Sequence, residues 1–183
     1  MNPASLGFQP SPSQTGHAIG LAVFSLTAQL WNLSDLKALQ AADITIEQYQ
    51  AELLLLSASA AMHAIETAGT SPEIESQVAS GLFQWARSLP KHLSELLLGA
   101  LDDSTDLYSE AFAIDTESPR PLAELAEIEC AFGDRLLAMG ENNEVRGPAC
   151  CLLSFVLPKT LWPAQYQAAR VMLQDAGLIS VPQ

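Results

Sequence analysis

Residues 45–89, TIEQYQAELLLLSASAAMHAIETAGTSPEIESQVASGLFQWARSL, decide the fold because they contain two helix starts with a helix stop between them. Thr45 followed by Gln48 forms a capping-box pattern, which predicts the start of a long helix. Gly69 predicts its end, since glycine readily adopts the left-handed conformation that closes a helix. The sequence SPE at 71–73 combines an N-cap, a proline at the first helical position and an acidic first turn, and predicts a second helix.

The second of these helices is amphipathic. One face carries apolar side chains at helical spacing, namely Ile74, Val78, Leu82, Trp85 and Leu89. The opposite face carries Glu73, Gln77, Gln84 and Ser88. This pattern predicts a helix that packs one side against a core and leaves the other side in solvent.

The remaining sequence predicts further helices and no strands. Apolar residues recur with a helical period from Thr15 onward, and alternating β-branched runs do not occur. Predicted helices cover about 15–32, a short segment after Ser34, 91–101, 105–114, 122–139, 148–157 and 160–177. We therefore expect an all-α protein, an irregular bundle of about seven to nine helices that residues 15–183 form as a single domain. Residues 1–14 contain three prolines and predict a flexible N-terminal arm.

The composition is apolar for a chain of this length. Hydrophobic residues make up 49% of the 183 residues, and the mean hydropathy is +0.17. Surplus apolar surface is commonly buried against a partner, so we expect a homodimer or another homo-oligomer. The longest apolar stretches, 18–31 and 53–65, are shorter than the ~20 residues of a membrane span. We therefore expect a soluble protein.

The cysteines and the first residues of the chain indicate the cellular compartment. Its three cysteines are an odd number, which indicates a reducing compartment rather than a disulfide framework. Cys150 and Cys151 lie in an apolar run and are interpreted as core residues. The first residues lack the cationic segment and cleavage site of a secretory signal. We expect a cytoplasmic protein of bacterial origin.

The formal charge is −13, from 8 basic and 21 acidic residues. This charge disfavours nucleic acid and anionic membranes as partners. Residues 95–144 contain 13 acidic and two basic residues, so that this segment alone carries −11. It predicts a docking face for a basic protein if the fold gathers these charges on one surface, and otherwise a set of solvated helix faces.

One acidic pattern within this segment is a candidate magnesium site. Asp102, Asp103 and Asp106 belong to the sequence DDSTD, which resembles the DDxxD motif that holds magnesium on a helix in isoprenoid synthases. The alternative is structural, because the boundary between two helices also collects Asp and Ser residues.

A second acidic pattern has the ExxE spacing. Glu124 with Glu127, together with a second pair at 141–144, resembles the paired motifs of the all-α nucleotide pyrophosphohydrolases. The two resemblances imply a magnesium-dependent nucleotide or diphosphate hydrolase on a helical bundle. The alternative is that Glu124 and Glu127 lie on the solvent side of the helix predicted over 122–139.

A narrow polar stripe follows the helix that begins at Thr45. It consists of Gln48, Glu52, Ser59, His63 and Glu66. If this helix is central, the stripe lines a polar cavity; if the helix is peripheral, the stripe is its solvent side, which is the interpretation that we prefer. One helix cannot readily place a nucleophile, a base and oxyanion donors around a substrate, so we assign no catalytic residues.

Glu129 lies on the apolar face of the predicted helix 122–139. A carboxylate in that position must be paired, protonated or turned toward a cavity. Arg135 lies on the other side of the same helix, so a partner for Glu129 must come from elsewhere. A small-molecule pocket is one hypothesis for these residues, and its candidate lining is Glu52, Ser59, His63, Glu66 and Glu129. A structural ion pair is the alternative.

The chain contains no glycine-rich phosphate loop, nucleophile elbow or CxxC pair, and we predict no cofactor. The leading hypothesis is a non-enzymatic acidic helical interaction protein, namely an adaptor, a dedicated chaperone or an inhibitor-type partner. Its acidic face would attract a basic protein, and a groove between helices would bind apolar anchors. Trp31, Trp85 and Trp162 are interpreted as core residues or as anchors for such a partner.

Overall fold

The computed structural model describes residues 9–30, 39–40, 43–117, 126–139 and 157–180. They contain six helices, which are in chain order α1 Pro12–Leu30, α2 Ile46–Glu66, α3 Pro72–Ser88, α4 Lys91–Glu117, α5 Glu127–Met139 and α6 Leu157–Asp175. No strand occurs among these described residues, which confirms the all-α class. Residues 31–38 and 148–156, which hold most of two further predicted helices, lie outside the described residues, as do residues 1–8 of the predicted arm.

Helix α2 lies at the centre of the bundle and contacts the five other helices. Every residue from Ala51 to Ala61 is buried. The sequence of that segment, AELLLLSASAA, explains why, since it combines apolar side chains with small ones on all sides and has one charged residue. Two apolar clusters lie along α2, one containing Leu53 and Leu56 and the other Leu54 and Leu55.

The two helix starts predicted within 45–89 are confirmed. The Thr45 hydroxyl accepts from the Gln48 amide at 3.1 Å, and the Thr45 amide donates to the Gln48 side chain at 2.8 Å. Ser71 accepts from the Ile74 amide at 3.4 Å, with Pro72 as the first residue of α3. Val78, Leu82 and Trp85 of the predicted apolar face are buried, whereas Ile74 and Leu89 at its two ends are half-buried.

Helices α1 and α3 pack with their backbones in direct proximity. A Cβ atom added at Gly16 of α1 would lie 1.9 Å from the Val78 carbonyl oxygen of α3. A Cβ atom added at Gly81 of α3 would lie 2.0 Å from the Ser13 carbonyl oxygen of α1. Only glycine permits this approach, so these two positions determine how closely the two helices pack.

The segments predicted as separate helices over 91–101 and 105–114 form one continuous helix, α4. Ser104 was expected to stand at a boundary, but it is fully buried inside the helix. The Thr105 hydroxyl donates to the Leu101 carbonyl at 2.8 Å, one turn earlier in the same helix. Tertiary packing along this face therefore outweighs the preference of Asp, Ser and Thr for helix ends.

Helix α5 begins at Glu127, whereas its start was predicted near residue 122. The Asp115 carboxylate of α4 accepts from the Glu127 amide at 2.8 Å and from the Ile128 amide at 3.1 Å. These amides have no partner within their own helix, so a side chain from α4 caps α5. No helix in the described part of the chain is long and apolar enough to cross a bilayer.

Candidate functional site

Three helices bring a carboxylate, a phenol and a guanidinium together inside the bundle. Glu52 of α2 is fully buried. The Tyr108 hydroxyl of α4 donates to Oε1 of Glu52. The Arg135 Nε of α5 donates to the same oxygen at 2.5 Å, and this contact is also an ion pair. We refer to Glu52, Tyr108 and Arg135 as the buried polar centre.

The electrostatics of the buried polar centre follow from its burial. Desolvation and the charge of Glu52 raise the pKa of the Tyr108 hydroxyl well above its usual range, so Tyr108 remains a proton donor. Burial acts to lower the pKa of Arg135, but its hydrogen bond and attraction to Glu52 outweigh this and raise that pKa. The arrangement is therefore a charged pair with a neutral phenol, which holds three helices in register.

Four buried polar atoms have no hydrogen-bond partner among the described residues. They are Oε2 of Glu52, Oγ of Ser59, Oγ of Ser104 and Nε1 of Trp162. Each such atom costs about 1–3 kcal/mol if it stays unsatisfied. They belong to α2, α4 and α6, and they offer three donors and one carboxylate acceptor.

An aromatic cluster adjoins the buried polar centre. The Trp162 ring of α6 lies 6.0 Å from the Tyr108 ring and 6.1 Å from the His63 ring, measured between centroids. His63 also lies 5.7 Å from the Tyr166 ring. Burial lowers the pKa of His63, which favours the neutral imidazole. Trp162 is fully buried, so it serves as a core residue.

The polar stripe of α2 runs from the interior to the surface. Because α2 is central, Glu52 and Ser59 are fully buried, and the interpretation of the stripe as a solvent side is wrong for these two residues. His63 is half-buried and Glu66 is exposed. Partial burial raises the pKa of Glu66, and the nearby carboxylates of Asp106, Glu75 and Asp102 raise it further.

Glu129 is buried, and its contact is local. Its Oε2 accepts from the Ala126 amide at 2.9 Å, three residues earlier. This bond is half of a capping box, in which the side chain at the third helical position reaches back to the residue before the helix. Glu129 therefore stabilises the first turn of α5.

The magnesium candidates do not form one group in the described part of the chain. Asp102, Asp103 and Asp106 are exposed on α4, and Glu127 is half-buried at the start of α5. Glu124 lies outside the described residues. Among the residues that the structure describes, no three His, Cys, Asp or Glu side chains are placed to hold a metal ion together.

A surface groove of about 250 Å³ lies between α4 and α5. We refer to it as the acidic groove; its lining is Leu107, Glu110, Ala111, Ile114, Glu127, Cys130, Ala131 and Asp134. Leu107 is 38% exposed and Ile114 is 49% exposed, which is high for large apolar side chains. Three carboxylates accompany them, and none of the described lining residues is basic. The groove thus combines apolar contacts with negative charge.

The sequence patterns identified Glu52 but missed its two partners. Tyr108 is 56 residues away and Arg135 is 83 residues away. Arg135 was expected on the other side of its helix from the apolar face, yet it reaches the buried Glu52 of α2, so no sequence pattern indicated this contact. Leu107 and Ile114 were missed as well, since an exposed apolar residue is recognised only when its neighbours are known.

Comparison of the chain with models of known protein families, with curated proteins and with solved structures found no match.

Proposed function

We propose that this protein is a non-enzymatic acidic helical interaction protein, an adaptor, dedicated chaperone or inhibitor-type partner, and that the acidic groove binds a basic amphipathic segment of another protein. The observation that carries this proposal is the composition of the groove. Leu107 and Ile114 are exposed apolar side chains, and Glu110, Glu127 and Asp134 accompany them. A helix with apolar residues on one face and Lys or Arg beside them matches this surface.

The two kinds of residue contribute differently to binding. Burial of apolar side chains supplies most of the affinity, at about 25 cal/mol per Å² removed from water. The carboxylates raise the association rate and select basic partners over acidic ones. The net charge of −13 acts in the same direction over longer distances, and it repels nucleic acid and anionic lipid.

The test uses a synthetic amphipathic helical peptide of leucine and lysine, titrated into the isotope-labelled full chain and followed by nuclear magnetic resonance. We expect shifts of α4 and α5 signals, weakening as salt is raised. Ile114→Lys should weaken binding by about tenfold or more, because it removes an apolar anchor. Val171→Lys is the matched control, since Val171 is 41% exposed on α6 and undergoes the same change of charge.

Three results would contradict the proposal. The peptide could fail to bind, it could shift signals elsewhere than α4 and α5, or the two lysine variants could bind it equally well. An acidic peptide of the same pattern serves as the negative probe, and it should not bind.

A second candidate function is a small-molecule-binding bundle, and it is favoured by the four buried polar atoms that have no hydrogen-bond partner among the described residues. A ligand with several acceptors and one donor would satisfy them. A thermal-shift screen of small polar molecules tests this candidate. Stabilisation that disappears in Ser59→Ala supports it, and stabilisation that survives that change assigns the ligand to another place.

The magnesium-dependent hydrolase remains a third proposal, and only the two sequence resemblances support it. A saturable, ion-selective rise in Tm with magnesium that is lost in Glu124→Gln or Asp103→Asn would support it. We also propose a cytoplasmic protein of bacterial type that uses no cofactor and forms a homo-oligomer. The apolar composition and the odd number of cysteines support these points.

A further inference from the structure

Helix α1 is unusual because it carries no charged residue. Its 19 residues contain no Asp, Glu, Lys or Arg, although the whole chain carries −13. Two copies of so acidic a protein repel each other wherever their charged surfaces meet. An uncharged helix face is therefore the surface at which two copies approach at the lowest electrostatic cost.

The exposed face of α1 is centred on Leu21. This side chain is 56% exposed, more than any other large apolar side chain among the described residues. Nine residues of α1 precede Leu21 and nine follow it, so Leu21 is the midpoint of the helix. Ala18 and Ser25 lie one turn to either side on the same face, and both are small.

Two adjoining grooves border this face. One has a volume of about 360 Å³, and Leu21, His17 and Gln84 are part of its lining. The other has a volume of about 290 Å³ and extends toward the end of α6 at Asp175. Pro10 and Ala18 line both grooves, so the two grooves adjoin each other beside the first half of α1. They provide a concave surface beside the protruding leucine.

We infer that the Leu21 face of α1 is a self-association surface whose partner is a second copy of this chain. In a two-fold dimer each residue faces the equivalent patch of its partner. Because Leu21 is the midpoint, two antiparallel α1 helices place both Leu21 side chains near the axis, with small residues on either side. The close packing of α1 on α3 at Gly16 and Gly81 fixes the position of the helix that carries this face.

The test is sedimentation of the full chain over a range of micromolar concentrations. We expect a dimer for the natural sequence. Leu21→Lys should raise the dissociation constant by about tenfold or more, because two ammonium groups would meet near the axis. Lysine is nearly as good a helix former as leucine, so an unchanged circular dichroism spectrum verifies that the variant folds. Val171→Lys is the matched control and should remain dimeric.

Salt and the acidic groove provide two further readouts. Raising the salt concentration should tighten the dimer, because the face has no charge pairs to weaken while the repulsion between the copies is screened. Ile114→Lys should leave the dimer unchanged, which separates this inference from the proposed function. A monomer for the natural sequence, or a dimer that survives Leu21→Lys, would overturn the inference.

Discussion

At the scale of single residues, Glu52 is a fully buried carboxylate that two other helices contact. A buried carboxylate loses its hydration, which costs several kcal/mol unless other groups replace it. Here one oxygen receives both Tyr108 and Arg135, and the other oxygen has no partner among the described residues. The Glu52–Arg135 pair therefore matters for stability mainly because removing one partner leaves the other charge buried without compensation.

This predicts an asymmetric mutational response. Arg135→Met should destabilise the protein by about 3 kcal/mol, because it leaves an uncompensated buried charge on Glu52. Glu52→Gln combined with Arg135→Met should recover part of that loss, since no charge is then buried. Urea unfolding of the single and double variants measures both effects.

Arg170→Met is the control for the loss of an arginine. Arg170 is on α6 and donates to the exposed Thr67 carbonyl at 3.0 Å. Its replacement should cost about 0.5 kcal/mol or less. Equal losses for the two arginine variants would show that Glu52 is not stabilised as a buried charge.

Glu66 predicts that the stability of the protein depends on pH, and that its carboxylate destabilises the folded state at neutral pH. Its pKa is raised in the folded protein by burial and by Asp106, Glu75 and Asp102. The folded state therefore binds this proton more tightly than the unfolded state does, and stability is lost as the pH rises from the unfolded pKa of about 4.3 through the folded pKa. Glu66→Gln should stabilise the protein at neutral pH.

The gain should be about 0.3–0.5 kcal/mol, because Glu66 is exposed and solvent screens its neighbours. It should vanish below about pH 4, where the carboxyl is protonated in both states. Tm values of the two proteins across this range measure the difference. Glu47→Gln is the control at the other end of α2, and it should lower Tm by removing an acid from the first helical turn.

At the scale of elements, α4 shows how packing overrides local preference. Its sequence from Asp102 to Thr105 favours a helix boundary, yet the helix runs without a break from Lys91 to Glu117. Leu101 and Tyr108 lie on the same side as Ser104, and all three are buried. Burying this continuous face offsets the modest cost of helix-disfavouring residues.

The α1–α3 contact predicts a contrast between glycines. Gly16→Ala and Gly81→Ala should each destabilise the protein by about 1–3 kcal/mol, because the new methyl group meets a backbone oxygen that cannot move aside. Gly99→Ala is the matched control, since Gly99 lies within α4 with open space around it. It should stabilise the protein by about 0.5–1 kcal/mol through helix propensity.

Thermal or urea unfolding of the three alanine variants measures this contrast. The close approach of α1 and α3 would be disproved if Gly16→Ala or Gly81→Ala behaved like Gly99→Ala. Gly16→Ala and Gly81→Ala should also affect the proposed self-association, because a displaced α1 would alter the surface around Leu21.

At the scale of the whole molecule, the protein presents two surfaces of different character. The face of α1 around Leu21 is uncharged, whereas the acidic groove combines apolar side chains with three carboxylates. They lie on different helices, so the proposed partner and the proposed second copy would occupy separate surfaces. Under both proposals, the charge of −13 favours a basic partner at the groove and disfavours contact between copies at charged surfaces.

Much of the helical architecture could be predicted from the sequence. The starts of α2 and α3 and the buried face of α3 depend on residues within one or two turns of each other, and periodicity reports such contacts directly. The end of α2 was also predicted, since Gly69 has the positive φ of 71° that the stop signal implied. The excess of acidic residues over 95–144 was evident from the sequence. The positions of these residues on the surface of the fold were not.

The sequence by itself determined the helical class, the principal helix starts and the amphipathic face of α3, because these follow from interactions between near neighbours. Only the tertiary structure decided that α2 is central, that Glu52 meets Arg135 and that α4 continues through Ser104. It also decided that Leu107, Ile114 and three carboxylates share one groove. Each of these outcomes depends on which helix faces meet across tens of residues, and the free energy of that packing is not encoded in any local pattern.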